Sequence, residues 1–210
     1  RKAAALMGRL DRLEQAAALL ERAGETRGAA EMLEKVVKRQ GVAGRIELNP
    51  EHQAALEETA RRCAALYVKA GALEPAAQVL KQAGAEREAA DCFVRAGNLQ
   101  EALVLYKKHR LFAKARQVAE ALGAAEEVEL VRGEELLEEG RPAEAAAAFG
   151  RGKAYGRAGE LYAGLQEYEK AGEMFTLAGD LDQAAEMFGS GGDPAKAGEA
   201  FERARRFGEA

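Results

Sequence analysis

Apolar residues return along this chain with a period of thirteen. The phrase Ala171-Gly172-Glu173-Met174-Phe175 comes back as Ala184-Ala185-Glu186-Met187-Phe188 and again as Ala197-Gly198-Glu199-Ala200-Phe201. It extends backward to Ala158-Gly159-Glu160-Leu161-Tyr162 and Ala145-Ala146-Ala147-Ala148-Phe149. Further upstream the phase shifts by four residues, and units then begin at Ala115, Ala102, Ala89, Ala76 and Cys63; Ala29, Ala16 and Ala3 start three more. Position one of a unit is nearly always Ala and position two is usually Ala or Gly. Position five is a large apolar residue such as Met7, Leu20, Leu33, Tyr67, Leu80, Phe93 or Tyr106.

The period predicts one helix and one stop per unit. Position nine is Gly at 24, 71, 84, 97, 123, 140, 179 and 192, where a helix end needs a residue tolerant of positive φ. Position eleven opens the next helix with an apolar residue or Pro, among them Leu13, Leu73, Leu99, Phe112, Pro142, Tyr155, Tyr168, Leu181, Pro194 and Phe207. From position eleven, the next positions one, five and eight follow at three, seven and ten residues, a single stripe on a helix of 3.6 residues per turn. Such a helix is only about 15 Å long, too short to be stable alone in water. It must be held by stacking on its neighbours. Two units make an antiparallel hairpin of 26 residues, and the expected fold is therefore all-α, a right-handed α-solenoid of 13-residue helix units stacked as 26-residue hairpins.

Two stretches depart from the period. Between 41 and 49, Gly41-Val42-Ala43-Gly44 followed by Asn49-Pro50 reads as a loop ending in an N-cap with Pro at the first helical position. A longer helix of about 20 residues then runs to Ala70 and is closed by Gly71. Between 124 and 140 one lengthened unit carries Glu126, Glu127, Glu129, Glu134, Glu135, Glu138 and Glu139, with Arg132 in place of Ala at position one. Val128, Val131 and Leu136 are expected to turn inward there, leaving the carboxylates as a solvated face or an acidic docking patch. The whole of 1–210 reads as one repeat array. Ala197 to Phe207 still look like an interior repeat, so the array is expected to continue in a longer parent chain, and uncapped ends of this kind favour self-association.

The phrases Lys170-Ala171-Gly172-Glu173-Met174-Phe175 with Ala178-Gly179-Asp180, and Ala89-Ala90-Asp91-Cys92-Phe93 with Ala96-Gly97-Asn98, resemble tetratricopeptide-type helical repeats over nearly the whole length. The 26-residue hairpin is shorter than that family's 34, and the family's Trp-containing opening is missing. The pattern is also similar to the short-helix solenoids of clathrin-like and coatomer-like proteins. Both resemblances imply an interaction scaffold, often one part of a larger multidomain chain.

Composition narrows the function. The chain has 31 basic and 35 acidic residues and a net charge of −4, a mixed surface without a field that recruits nucleic acid or an anionic membrane. No apolar run of about 18 residues is present, so no spanning helix is expected. The two cysteines, Cys63 and Cys92, make no disulfide framework and have no metal-ligand spacing. They read as reduced small hydrophobes in a cytoplasmic protein, and high Ala, Gly and Arg usage points to a bacterial source. The one serine, Ser190, sits in Gly189-Ser190-Gly191-Gly192, a helix stop that matches no phosphate-binding motif. The two histidines, His52 and His109, fall in different repeats, and no catalytic, cofactor or metal constellation can be assembled.

The expectation is a non-catalytic scaffold that binds a partner protein segment along its repeat groove. Candidate contacts are Tyr106 with Lys107, Lys108 and Arg110 of the basic cluster Lys107-Lys108-His109-Arg110, the pair Arg61 and Arg62, and the acidic Glu134, Glu135 and Glu138. Tyr67, Tyr106, Tyr155, Tyr162 and Tyr168 are candidate aromatic anchors, although most occupy core positions. The alternatives are a nucleic-acid-binding repeat, which needs Arg61, Arg62, Lys107, Lys108 and Arg110 on one face, and a regulatory or assembly module of a larger enzyme.

Overall fold

A computed structural model describes residues 2–43 and 50–208, with side chains described for 12–41 and 50–205. Among the described residues every regular element is a helix. Three long helices come first: α1 (Lys2–Arg22), α2 (Thr26–Ala43) and α3 (Pro50–Lys69). Short helices then start every thirteen residues: α4 (Leu73–Gln82), α5 (Glu86–Ala96), α6 (Leu99–Lys108), α7 (Phe112–Ala121) and α8 (Ala125–Glu138). After the lengthened α8 the same interval resumes with α9 (Pro142–Arg151), α10 (Tyr155–Gly164), α11 (Tyr168–Ala178), α12 (Leu181–Ser190) and α13 (Pro194–Gly208). The elements form an α-solenoid of stacked helices, divided into two compact units, the first ending at His109 and the second beginning at Arg110. Within each unit, helices adjacent in sequence pack on one another.

One turn is reused throughout. Residue nine takes a left-handed conformation at all eight glycines named above, with φ between 68° and 89°. Its N–H bonds back three residues, as Gly71 N to Val68 O at 3.0 Å, and the next N–H bonds back five, as Ala72 N to Tyr67 O at 2.8 Å. This is the Schellman arrangement. Position ten then works in both directions, because its carbonyl accepts the position-one N–H of the following helix, as in Ala89 N to Ala85 O and Ala171 N to Glu167 O, both at 3.0 Å. That first bond lets most of the short helices start without a side-chain cap; α12 and α13 add one, Asp180 accepting from Gln183 N and Asp193 from Lys196 N.

Three of the left-handed position-nine residues are not glycine: Arg110, Lys153 and Gln166 have φ of 57°, 61° and 61°. The left-handed conformation costs a residue with a Cβ about 1–2 kcal/mol, and packing on both sides must offset it.

The expected helix break after the first unit does not form. Asp11 and Val37 occupy position nine where α1 and α2 run on as single helices of 21 and 18 residues. Val, branched at Cβ, is among the residues least able to take positive φ. The loop expected from Gly41 also begins later, since α2 continues to Ala43; residues 44–49 lie outside the described residues. The helix expected after Pro50 is α3, of 20 residues. Four extra residues in α8 amount to about one helical turn, so Val131 and Leu136 stay buried on the stripe and Val128 is half-buried.

The core is a matching of sizes. Position-one Ala76, Ala89, Ala102, Ala115, Ala145, Ala158, Ala171 and Ala184 are all fully buried. At position two of α8, α10 and α11, Gly133, Gly159 and Gly172 lie beneath the position-five rings of the next helices. A Cβ at those glycines would sit 2.6, 2.9 and 2.6 Å from Phe149, Phe175 and Phe188. Only hydrogen fits there. Gly172→Ala is therefore expected to destabilise the protein by about 1–3 kcal/mol through overpacking, read as a lower urea midpoint. Gln166→Gly, which relieves a left-handed side chain, is expected to raise that midpoint by about 0.5–1 kcal/mol after the added unfolded-state entropy is counted.

Candidate functional site

The acidic run of α8 does not face solvent as a free patch. Each carboxylate with a resolved ion pair meets a base from elsewhere in the second unit: Glu129 meets Arg151 at 2.8 Å, Glu134 meets Arg157 at 3.4 Å, Glu135 meets Arg116 at 3.4 Å and Glu139 meets Arg141 at 2.8 Å. Glu126 pairs with Lys153 and Glu138 with Arg110. Lys153 and Arg110 are two of the three non-glycine turn residues, so a cost in backbone conformation is set against a contact to α8. These are solvent-exposed pairs, each contributing roughly 0–1 kcal/mol. Their consequence is neutralisation of the α8 face.

The basic candidates of the first unit are also engaged. Arg61 meets Glu57 of its own helix at 3.0 Å and Glu88 of α5 at 2.7 Å, while Arg62 reaches back to Glu21 of α1 at 2.6 Å. Neighbouring residues on α3 thus point to different helices and do not form one cationic surface. Lys108 and His109 converge on Glu86 at 2.6 and 2.8 Å. Lys107 is half-buried and has interactions of its own. The Glu86 carboxyl is held below its ordinary range, first by the bond from Lys108 and then, against the opposing effect of burial, by His109.

The tyrosines divide. Tyr67, Tyr106 and Tyr162 are buried, and Tyr155 and Tyr168 are half-buried. Tyr67 donates to Glu34 at 2.5 Å and Tyr106 to Asp91 at 2.6 Å, so both hydroxyls are used within the fold. Burial, then those carboxylates, push both phenols above their ordinary range. Cys63 is buried with its Sγ donating to the Ala30 carbonyl at 3.2 Å, and burial, with the charge of Glu34, raises the thiol to about 12. Burial also raises Cys92. Raised thiols are poor nucleophiles.

What sequence reasoning missed lies at the far end of the second unit. A groove of about 440 Å³ runs between α11 and α13, walled by Met174, Leu177 and Ala200 and floored by Phe188. Glu173, Lys196, Glu199 and Arg203 line its rim. A second recess of about 540 Å³ shares Thr176 and Arg203 and lies against the α11–α12 turn. Leu177 is 57% exposed, so a large apolar side chain stands in the groove without a cover. A signal for it was present: Leu177 is a large apolar residue at position seven, where most other units carry a polar one, such as Arg22, Lys35, Lys69, Gln82, Arg95, Lys108, Glu138, Arg151, Ser190 and Arg203, and two carry the small Ala121 and Gly164. Lys196 is fixed at the groove by Glu169 at 2.6 Å, with its ammonium 5.5 Å from the Phe188 ring centre. The same relation, position thirteen over the position-five ring of its unit, recurs at Arg157 over Phe149 (4.0 Å) and Lys170 over Tyr162 (5.3 Å). These cations lie over the rings, where the quadrupole of the aromatic face attracts them.

Among the described residues no helix is long and apolar enough to cross a membrane, and no group of three or more metal-ligating side chains is gathered. No protein-family model matches the chain, and no curated protein matches it. Among solved structures it is similar to BtubC (BKLC) from P. vanneervenii, at 19% identity and a TM-score of 0.32, with 85% of this chain and 90% of that one covered. It is also similar to a Podospora anserina putative kinesin light chain with nearly identical TPR-like repeats, at 17% identity and a TM-score of 0.31, covering 94% and 93%.

The Glu86 cluster gives a pH dependence with a definite sign. Its folded-state pKa lies below the unfolded one, so its stabilisation is complete above the ordinary carboxylate range and is lost as pH falls through the folded value. Glu86→Gln is expected to cost about 0.5–1 kcal/mol near neutrality, with the difference from the parent chain vanishing in acid when denaturation midpoints are compared across pH.

Proposed function

We propose that this protein is a non-catalytic interaction module that holds a segment of a partner protein, and that the α11–α13 groove is where the segment lies. The observation that carries the reading is the uncovered Leu177 above the Phe188 floor, in a groove with Met174 and Ala200 on its walls. Half-exposed apolar side chains within a polar rim are the usual chemistry of a peptide anchor site.

Both compact units belong, on this reading, to one repeat array. Position-nine turns at Gly97, Arg110 and Gly123 keep the thirteen-residue phase from one unit into the next. The charged candidates Arg61, Arg62, Lys108, Arg110, Glu134, Glu135 and Glu138 then act mainly as ties between helices. Nucleic-acid binding is the weaker alternative, because Arg61, Arg62, Lys108 and Arg110 each already face a carboxylate and phosphate would have to displace it. A cytoplasmic location and a role as an assembly module of a larger protein fit the same reading.

A photo-crosslinking amino acid placed at Leu177 is expected to capture a partner from a lysate of the source. Leu177→Asp is expected to abolish that partner's retention while changing stability by no more than about 0.5 kcal/mol, since the side chain is exposed. Retention unchanged by Leu177→Asp would place the binding surface elsewhere.

A further inference from the structure

The groove between α11 and α13 opens where one contact of the array lacks its large partner. Between α9 and α11, Met174 at position four reaches position six of α9, where a Cβ at Gly150 would lie 3.4 Å from its Sδ. The equivalent pair between α11 and α13 is Thr176 and Ala200, and both line the groove. Position four is Leu161, Met174 and Met187 in the three preceding units, so a short side chain at 200 leaves the space. Its walls and its floor, Phe188 of α12, all come from helices of the described array.

The polar groups around this space are unbalanced. The Thr176 hydroxyl already donates to the Gly172 carbonyl at 2.7 Å, and the Lys196 ammonium lies 2.6 Å from Glu169 and 3.8 Å from Asp193. Among the described residues, Arg203 is then the one lining cation not held by a carboxylate. Glu173 and Glu199 on the rim are exposed and make no ion pair among the described residues, and Asp180 and Asp182 line the adjoining recess. The wider surroundings have the same sign: residues 110–210 carry 13 Lys and Arg against 20 Asp and Glu, a net charge of −7, whereas residues 1–109 carry 18 against 15, a net charge of +3. Such a field draws in cations and penalises an acidic segment. We propose that the segment held in the groove is basic, with one large apolar side chain seated over Phe188 beside Leu177 and Lys or Arg residues on either side meeting Glu173 and Glu199. This inference rests on the reading of the groove as the binding site and adds the chemistry of its occupant.

The test selects random short peptides displayed on phage against the full chain and screens them again on Leu177→Ser. That substitution removes an apolar wall without changing charge, and an unchanged thermal melt by circular dichroism shows that the variant folds. Peptides retained by the parent chain and lost on Leu177→Ser are expected to be positively charged, with a large apolar residue flanked by Lys or Arg. For one such peptide, labelled and followed by fluorescence anisotropy, Glu173→Gln combined with Glu199→Gln is expected to weaken binding at least about fivefold. Raising salt from about 50 to about 300 mM is expected to weaken binding to the parent chain more than to that double variant. Leu177-dependent peptides that are neutral or acidic, or a basic peptide indifferent to the double substitution, would overturn the inference and leave the groove as the binding site. Basic peptides bound equally well by Leu177→Ser would reveal only a general attraction to an acidic surface, which overturns it too. If no peptide depends on Leu177, the groove itself is not the binding site and the inference falls with it.

Discussion

A helix of ten residues does not hold its own shape in water, and this protein is built largely from such helices. What makes them persist is the distance at which they meet. From α4 to α12 the position-one alanines are completely buried, and at three interfaces a position-two glycine lets the next helix lay a phenylalanine ring directly against the backbone. The small residue sets the approach and the ring fills what remains. Apolar burial of this kind stabilises in proportion to area, but only if the helices come close enough to exclude water. The small side chain at one position and the large one at another are therefore a single constraint written across two units.

The thirteen-residue period follows from adding a turn that costs little sequence. Residue nine reverses the chain, and residue ten closes the helix behind it and opens the one ahead with its own N–H and C=O. Backbone groups that a helix end would leave unpaired are thus shared between neighbours. The same economy explains why Arg110, Lys153 and Gln166 can stand where glycine is usual: interfaces on either side fix the turn. It also explains the tolerance of α8 for four additional residues, which rotate the helix by a little more than a full turn and return its apolar stripe to nearly the same side.

Much of the fold was legible because this constraint is local and periodic. Every glycine expected to end a helix does so with positive φ, and Val131 and Leu136 face inward as their spacing required. Two readings failed for lack of a competing signal: α1 and α2 pass through position nine as continuous helices, and α2 outlasts Gly41 by two residues. The surface was far less legible. Arg157 and Glu134 are 23 residues apart, and Lys196 and Glu169 are 27 apart, so basic and acidic runs that look like patches in sequence interleave on neighbouring helices. Leu177 is the one large apolar residue among the described position-seven residues, yet a single such residue in a repeat gives no hint that a groove lies beside it.

The central claim is that small and large residues in successive units act as one contact. A double-mutant cycle between Gly159 and Phe175 tests it most directly, using urea denaturation of the parent chain, Gly159→Ala, Phe175→Leu and the pair. The account predicts that the alanine is costly opposite phenylalanine and nearly harmless opposite leucine, a coupling of at least about 1 kcal/mol. Additive costs would mean that the glycine and the ring are stabilised independently, and that the contact is not what holds these helices together.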